Sequence, residues 1–286
     1  MDKKKLNRII KCMAAIVAMV LFVIVVVWTK EYGRGTDDTY QVVCLGDSNL
    51  ANDRNETGTV SQLEEKINKK VLNASFGGST MGNLYEKKTE YQSALSMYNL
   101  ALSICNGNFG VQKSAIDTLS RTDSVDHFPD TLEKLSVVDF EAVEILIIEH
   151  GVNDYLSGTP IRNGKDLYDS KTFTGALRSS VTMIREAYPN LRIVLVTPAY
   201  CAPRKAEDVH FPCDENNYGG GYLEEYVNAE LELAEELGVE IIDLYHGIDM
   251  HSDNFEDYLY DGLHFNEEGR KLMAEIIANY LLGEEE

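Results

Sequence analysis

Residues that can carry out chemistry follow the apolar runs of this sequence at four places. Gly46-Asp47-Ser48 follows the first run, Gly77-Gly78 the second and Gly151-Val-Asn153 the third. The fourth place is Asp261-Gly-Leu-His264, just before the last helical pattern. A serine, a histidine and an acid are the groups that an acyl-transfer site needs. The four stretches therefore predict such a site, provided that the fold brings them together.

Three of these side chains form a candidate catalytic triad. A serine hydroxyl is a weak nucleophile, so Ser48 needs a base within hydrogen-bond reach, and His264 is the candidate base. Asp261 lies three residues before His264 and is the candidate acid that orients the imidazole. The spacing predicts that Asp261 and His264 lie on one loop and meet Ser48 across the fold.

An acyl-transfer site also needs donors for the oxyanion that forms on the substrate. The expected donors are the backbone N–H groups of Ser48 and Gly78 and the side-chain amide of Asn153. Gly78 suits this role because a residue without a side chain lets its N–H approach a substrate closely. The neighbouring Gly77 has the same property, so the sequence leaves the choice between the two glycines open.

Several polar residues beside these stretches are interpreted as structural. Asp47 is expected to cap the turn that follows the first strand, and Asp154 to hold the loop of the third stretch. His150 is interpreted as a strand-end histidine bonded to backbone, with lining of the pocket as the alternative. Tyr155 and Tyr200 are more typical of packing than of substrate contact.

The elements that must position these residues alternate along the chain. The predicted strands cover 40–45, 71–72, 144–149, 191–196 and 239–244, and the main predicted helices cover 59–69, 173–188, 222–237 and 267–282. Strands that are apolar throughout and alternate with helices predict a parallel sheet covered on both faces. Such α/β folds place their sites at the carboxyl ends of the strands, where all four stretches lie.

Residues 82–135 do not follow this alternation and are predicted to form a helical insertion. The insertion contains a helical pattern with an apolar side formed by Tyr91, Leu95, Tyr98, Leu102 and Cys105.

Composition excludes some classes of protein. Of the 286 residues, 44% are hydrophobic, which is enough for a packed core. The formal net charge is −21, and an acidic surface repels phosphate backbones, so nucleic acid is not expected as a partner.

The N-terminus predicts attachment to a membrane. Residues 1–11 form a short basic tail, residues 12–28 contain no charge, and Trp28 ends the apolar stretch. This pattern favours a transmembrane signal anchor over a cleaved signal peptide, because no small-x-small cleavage pattern follows. The positive-inside rule then places the linker 29–39 and a domain at 40–283 outside the cytoplasm.

Five cysteines leave two alternatives open. Cys201 and Cys213 flank a polar loop and could form a disulfide outside the cytoplasm. A metal site with His210 is a weaker alternative, since the spacing fits no standard zinc pattern. Cys44 lies in an apolar strand and is typical of a core residue. We predict no cofactor and no metal.

In these stretches the chain resembles the SGNH hydrolases, also called the GDSL esterase/lipase family. The resemblance covers roughly residues 40–283 and is carried by the four blocks in their order, with Asn49 as a departure from the leucine of the family name. It implies a three-layer α/β/α sandwich with a five-stranded, flavodoxin-like parallel sheet. It also implies Ser48 as the nucleophile and Asp261 and His264 as the other triad members.

The resemblance and the predicted location together imply an activity. The leading expectation is a membrane-tethered serine esterase outside the cell that removes O-acetyl groups from a cell-wall or other glycan. The alternatives are a lipase, lysophospholipase or thioesterase with an acyl-chain groove under the helical insertion, and a non-catalytic surface binding module.

Overall fold

A five-stranded parallel sheet forms the centre of the protein, which was analysed as a computed structural model. The structure describes residues 39–83, 90–120, 122, 124–206 and 209–283. The strand order is β2-β1-β3-β4-β7. These strands are β1 (Val42–Gly46), β2 (Val71–Asn73), β3 (Ile145–Glu149), β4 (Arg192–Val196) and β7 (Glu240–Ile242).

The strands are buried on both faces because helices cover both sides of the sheet. Every residue of β1 and β3 is buried, which explains their continuous apolar sequence. α2 (Thr59–Ile67) packs against α11 (Glu267–Leu282), and α8 (Phe173–Ala187) packs against α9 (Leu223–Leu237). The predicted three-layer α/β/α fold with a five-stranded parallel sheet is confirmed.

Short helices begin directly after three of the strands. α1 (Ser48–Ala51) follows β1, α7 (Val152–Leu156) follows β3, and α10 (Leu244–Gly247) follows β7. The sequence analysis did not predict these elements, because four or five residues are too few to show a helical period.

The insertion between β2 and β3 is helical but differs from the predicted pattern. It contains α3 (Glu90–Ala94), α4 (Met97–Asn106), α5 (Gly110–Asp117) and α6 (Phe128–Ser136). The single apolar side predicted from Tyr91 to Cys105 is wrong, because Ser96 caps a new helix and changes the phase. The buried face of α4 is instead formed by Met97, Leu100, Ala101, Ser103 and Ile104.

A small hairpin that the sequence did not predict follows β4. It pairs β5 (Arg204–Ala206) with β6 (Val209–His210) in antiparallel fashion. These residues are mostly exposed and carry no alternating apolar pattern, so the sequence gives no strand signal here.

The predicted tail 1–11, apolar stretch 12–28 and most of the linker 29–39 lie outside the described residues. Within the ranges that the structure describes, no helix is both long enough and apolar enough to span a membrane.

Candidate active site

Ser48 lies at the carboxyl end of β1, where the chain turns sharply into α1. A Cβ on Gly46 would come within 2.7 Å of Leu50 Cδ1 and 3.0 Å of the Glu149 carbonyl oxygen, so this turn requires glycine. The Asp47 carboxylate accepts a hydrogen bond of 3.0 Å from the Asn49 N–H, which confirms its predicted capping role. As first residue of α1, Ser48 presents an N–H without an acceptor in its helix.

The structure brings Ser48, His264 and Asp261 together at this end of the sheet. His264 Nε2 lies 3.0 Å from Ser48 Oγ, and His264 Nδ1 lies 2.7 Å from Asp261 Oδ2. With the Nδ1–H donated to Asp261, the lone pair on Nε2 faces the serine hydroxyl. This is the tautomer that a general base for Ser48 requires.

Hydrogen bonds within the turn and to the loop after β4 hold the turn that carries Asp261 and His264 in place. Asp261 Oδ1 accepts hydrogen bonds from the N–H groups of Leu263 (3.0 Å) and His264 (2.8 Å). Gly262 has a φ of +79°, and a Cβ there would lie 1.9 Å from the Ala202 carbonyl oxygen. The Gly262 carbonyl in turn accepts a hydrogen bond from the Ala202 N–H. The loop after β4 therefore braces the turn.

The charges in this cluster tune His264 as a base. Burial opposes protonation, but the hydrogen bond and the negative charge of Asp261 outweigh it, and the pKa of His264 is raised above its ordinary value. Burial also acts against ionisation of Asp261, yet hydrogen bonds from the His264 ring and backbone lower its pKa to about 2. Asp261 is thus ionised at neutral pH, and its charge can stabilise an imidazolium on His264.

The candidate oxyanion donors lie in the loops that follow β2 and β3. Gly78 has a φ of +74°, and the Cβ position on Gly77 lies 3.8 Å from Ser48 Cβ. The Asn153 amide donates hydrogen bonds to the Ser79 carbonyl at 3.0 Å and to Asp47 Oδ2 at 3.3 Å. An oxyanion would have to replace one of these acceptors, and the longer bond to Asp47 is the weaker of the two.

These loops are held together by Asp154, which was expected to hold the loop of the third stretch, and by Arg54, to which the sequence analysis gave no role. The Asp154 carboxylate accepts hydrogen bonds from the N–H groups of Met81 (2.7 Å) and Gly82 (3.3 Å) and so ties α7 to the Gly78 loop. Arg54 donates to the carbonyl oxygens of Ala51, Asn73 and Ser75, which joins the ends of β1 and β2. A lone arginine in a polar stretch gives no sequence signal for such a role.

The other polar residues singled out from the sequence are buried. His150 is fully buried, and its Nε2 lies 3.1 Å from Ser79 Oγ, so it bonds to a side chain and not to backbone as interpreted. Tyr155 and Tyr200 are buried as well, which fits packing. Burial raises the pKa of Glu149 well above its ordinary value, at the end of β3 beside Asp47.

The four cysteines in the part of the chain that the structure describes, Cys44, Cys105, Cys201 and Cys213, are free thiols, so the possible Cys201–Cys213 disulfide is not formed there. Cys201 and Cys213 are both buried, and the Cys201 N–H donates to Cys213 Sγ at 3.5 Å. His210 Nδ1 lies 2.7 Å from the Ala202 carbonyl oxygen. Across the described ranges, no group of three such side chains is placed to hold a metal ion.

Comparison with known proteins identifies the family. The sequence profile of the GDSL-like Lipase/Acylhydrolase family matches residues 44–272, which contain all four blocks. The chain belongs to this family. The resemblance to SGNH hydrolases inferred from the sequence is confirmed.

The individual proteins to which the chain is similar either match less of its length or have low sequence identity. The mouse protein "Isoamyl acetate-hydrolyzing esterase 1 homolog" is 31% identical over 126 residues, which are 43% of this chain and 49% of the mouse protein. The chain thus matches about half the length of this curated relative. A structure from Lactobacillus plantarum has a TM-score of 0.60 at 18% identity and covers 87% of this chain and 100% of its own. A possible lipase from Chitinophaga pinensis has a TM-score of 0.55 at 20% identity, covering 85% and 99%. These structures share the fold.

Proposed function

We propose that this protein is a serine esterase that hydrolyses O-acetyl esters of a carbohydrate through an acyl-enzyme on Ser48. The observation that carries the proposal is the continuous relay from Ser48 through His264 to Asp261, with contacts of 3.0 Å and 2.7 Å. A histidine that accepts the serine proton and an acid that orients this histidine are sufficient to activate a serine for attack on an ester.

The reaction follows from the positions of these groups. His264 Nε2 takes the hydroxyl proton as Ser48 Oγ attacks the ester carbonyl carbon. The N–H groups of Ser48 and Gly78 and the Asn153 amide stabilise the oxyanion. His264 then donates the proton to the leaving alcohol oxygen, and a water molecule that it activates hydrolyses the acyl-enzyme.

Polar groups around the site support a small acyl group on a polar alcohol. The Tyr91 hydroxyl and the Gln92 amide nitrogen each lie 3.4 Å from the position that a Cβ on Gly78 would take. The Asn52 amide oxygen lies 3.4 Å from the corresponding position on Gly77. A long alkyl chain placed here would desolvate these groups without giving them hydrogen bonds, which is costly. The mouse relative, which the chain matches over about half its length, is named for an acetate ester.

A lipase, lysophospholipase or thioesterase is the second candidate, and a groove in the insertion, lined by apolar side chains together with Lys113, Asp117 and Glu133, favours it. This groove lies between α5 and α6, has a volume of about 490 Å³ and includes Phe109, Ile116, Pro129 and Leu132 in its walls. The walls contain neither Ser48 nor His264, so a chain bound there would need to reach the site across the intervening loops.

We further propose that the esterase domain is tethered to the cell membrane and faces away from the cytoplasm. The uncharged stretch 12–28 behind a basic tail supports this location. Protease treatment of intact cells that express the full chain should degrade the domain, whereas a cytoplasmic marker should survive. Protection of the domain until the cells are lysed would contradict the proposed orientation.

Two measurements test the activity. A fluorophosphonate probe should label the full chain, and Ser48→Ala should abolish the labelling; a fold-intact protein that is not labelled would instead be a binding module. Hydrolysis of 4-nitrophenyl esters of increasing chain length should be fastest for acetate. Rates that rise with chain length would exclude the acetylesterase and favour the lipase.

A further inference from the structure

Tyr260 lies directly against the catalytic turn. Its ring is stacked on the His264 imidazole, with a centroid distance of 5.7 Å and an interplanar angle of 20°. The Tyr260 N–H donates to the His264 carbonyl at 3.0 Å, which closes the turn around Asp261. A centroid distance of this size means that the rings are offset, so His264 covers only part of one face of Tyr260.

The rest of the Tyr260 ring is open to solvent. Tyr260 is 56% exposed, and no tyrosine or phenylalanine within the described ranges is more exposed. Exposed aromatic side chains are usually mobile, but this ring is restrained at two points. His264 packs against its face, and the Tyr260 backbone N–H is bonded to the His264 carbonyl. A fixed, exposed ring loses little conformational entropy when a ligand packs on it.

The chemistry of the proposed reaction determines which part of a substrate meets this ring. His264 must give its proton to the leaving alcohol oxygen, so the alcohol has to lie beside the imidazole. Tyr260 borders His264 and therefore borders the alcohol. The Asn52 amide oxygen lies 3.4 Å from the position that a Cβ on Gly77 would take, and Ser48 Cβ lies 3.8 Å from the same position, so a side-chain amide borders the nucleophile.

We propose that Tyr260 is the floor of a subsite for the leaving alcohol, and that this alcohol is a pyranose sugar. One face of a pyranose carries C–H groups that pack on the face of an aromatic ring. The hydroxyl groups at the edge of the sugar need hydrogen-bond partners. The candidate partners are the Asn52 amide and the Asp53 carboxylate, which accepts a hydrogen bond of 3.0 Å from Arg270. The inference rests on the proposed esterase function and specifies its substrate class.

Two acetate esters that differ only in the alcohol test the subsite in the full-length protein. These are a mono-O-acetylated methyl xylopyranoside and ethyl acetate. Both form the same acetyl-enzyme on Ser48, so a difference in kcat/KM reflects the alcohol. Tyr260→Ala should lower kcat/KM for the sugar ester roughly 3- to 10-fold more than for ethyl acetate. Tyr260→Phe keeps the ring and should retain most of the preference.

Tyr168→Ala serves as the matched control, because Tyr168 is 55% exposed and plays no part in the site. It should leave both kcat/KM values unchanged. An equal loss on both esters in Tyr260→Ala, with a shifted pH profile, would mean that Tyr260 acts only through His264 and would overturn the subsite. Unchanged rates would overturn it too. A wild-type protein inactive on both esters would overturn the proposed function itself.

Discussion

His264 Nε2 lies 3.0 Å from Ser48 Oγ, although 216 residues separate the two in the chain. The sheet produces this contact, since β1 delivers Ser48 and the loop before α11 delivers His264 to the same edge. Asp261 fixes the orientation of the imidazole from the opposite side.

Removing members of the relay should have unequal effects on ester hydrolysis. Ser48→Ala and His264→Ala should each lower kcat by about 10⁴-fold or more, because either change removes the activated nucleophile. Asp261→Asn should be about 10²-fold less severe, since His264 remains as base. Steady-state kinetics on 4-nitrophenyl acetate would measure the order. A Ser48→Ala protein that keeps near wild-type kcat would contradict the assigned nucleophile.

Activity should depend on pH through the protonation of His264. Only the neutral imidazole can accept the Ser48 proton, and the pKa of His264 is raised above its ordinary value of 6.5. kcat/KM should therefore fall on the acid side with a midpoint above pH 6.5. Asp261→Asn removes the charge that raises this pKa, so the midpoint should move to lower pH. A wild-type midpoint below 6.5, or one unmoved in Asp261→Asn, would be inconsistent with this electrostatic arrangement.

Arg54 should act as a positioning residue for the oxyanion loops. Replacing it with alanine leaves the Ala51, Asn73 and Ser75 carbonyls without this donor and should cost about 2–4 kcal/mol of unfolding free energy. The loops that carry Ser48 and Gly78 would shift, so kcat should fall more than KM rises. Arg162→Ala is the control, since Arg162 pairs with Glu232 on the surface and should matter little to either quantity. Equal effects of the two changes would refute the role of Arg54.

Glu230 should make stability depend on pH. Its carboxyl oxygens are buried and find no hydrogen-bond partner among the described residues, and burial raises its pKa well above the ordinary 4.5. The folded protein must keep this group protonated, so its unfavourable contribution grows as pH rises from 4.5 towards the folded pKa. Glu230→Gln is neutral at every pH and should gain stability over wild type by up to about 1.4 kcal/mol per pH unit in that range.

Urea unfolding at pH 5 and pH 8 would measure this gain. Glu232→Gln on the same helix is the control, because Glu232 is exposed. A stability difference between Glu230→Gln and wild type that does not change with pH would show that Glu230 is ionised in the folded protein.

The sequence predicted much of the fold because its signals are local. Apolar strands such as β3 and the capped helix α11 follow from composition and from Asn266 at the cap. The insertion is helical as predicted, but the predicted apolar side was wrong because Ser96 caps a new helix and changes the helical phase. The hairpin β5–β6 is mostly exposed and has no alternating apolar pattern, so no local signal predicted it.

For the site, the sequence by itself determined which residue types follow each strand: a serine, two glycines, an asparagine, and an acid three residues before a histidine. Those identities predict the chemistry because each group has a fixed role in acyl transfer. The tertiary structure alone decided the distances, the tautomer of His264 and the raised pKa that follows from Asp261. It also brought Arg54, Asp154 and Tyr260 to the site. Contacts between residues far apart in the chain depend on how the layers pack, and no local pattern in a single sequence records that packing.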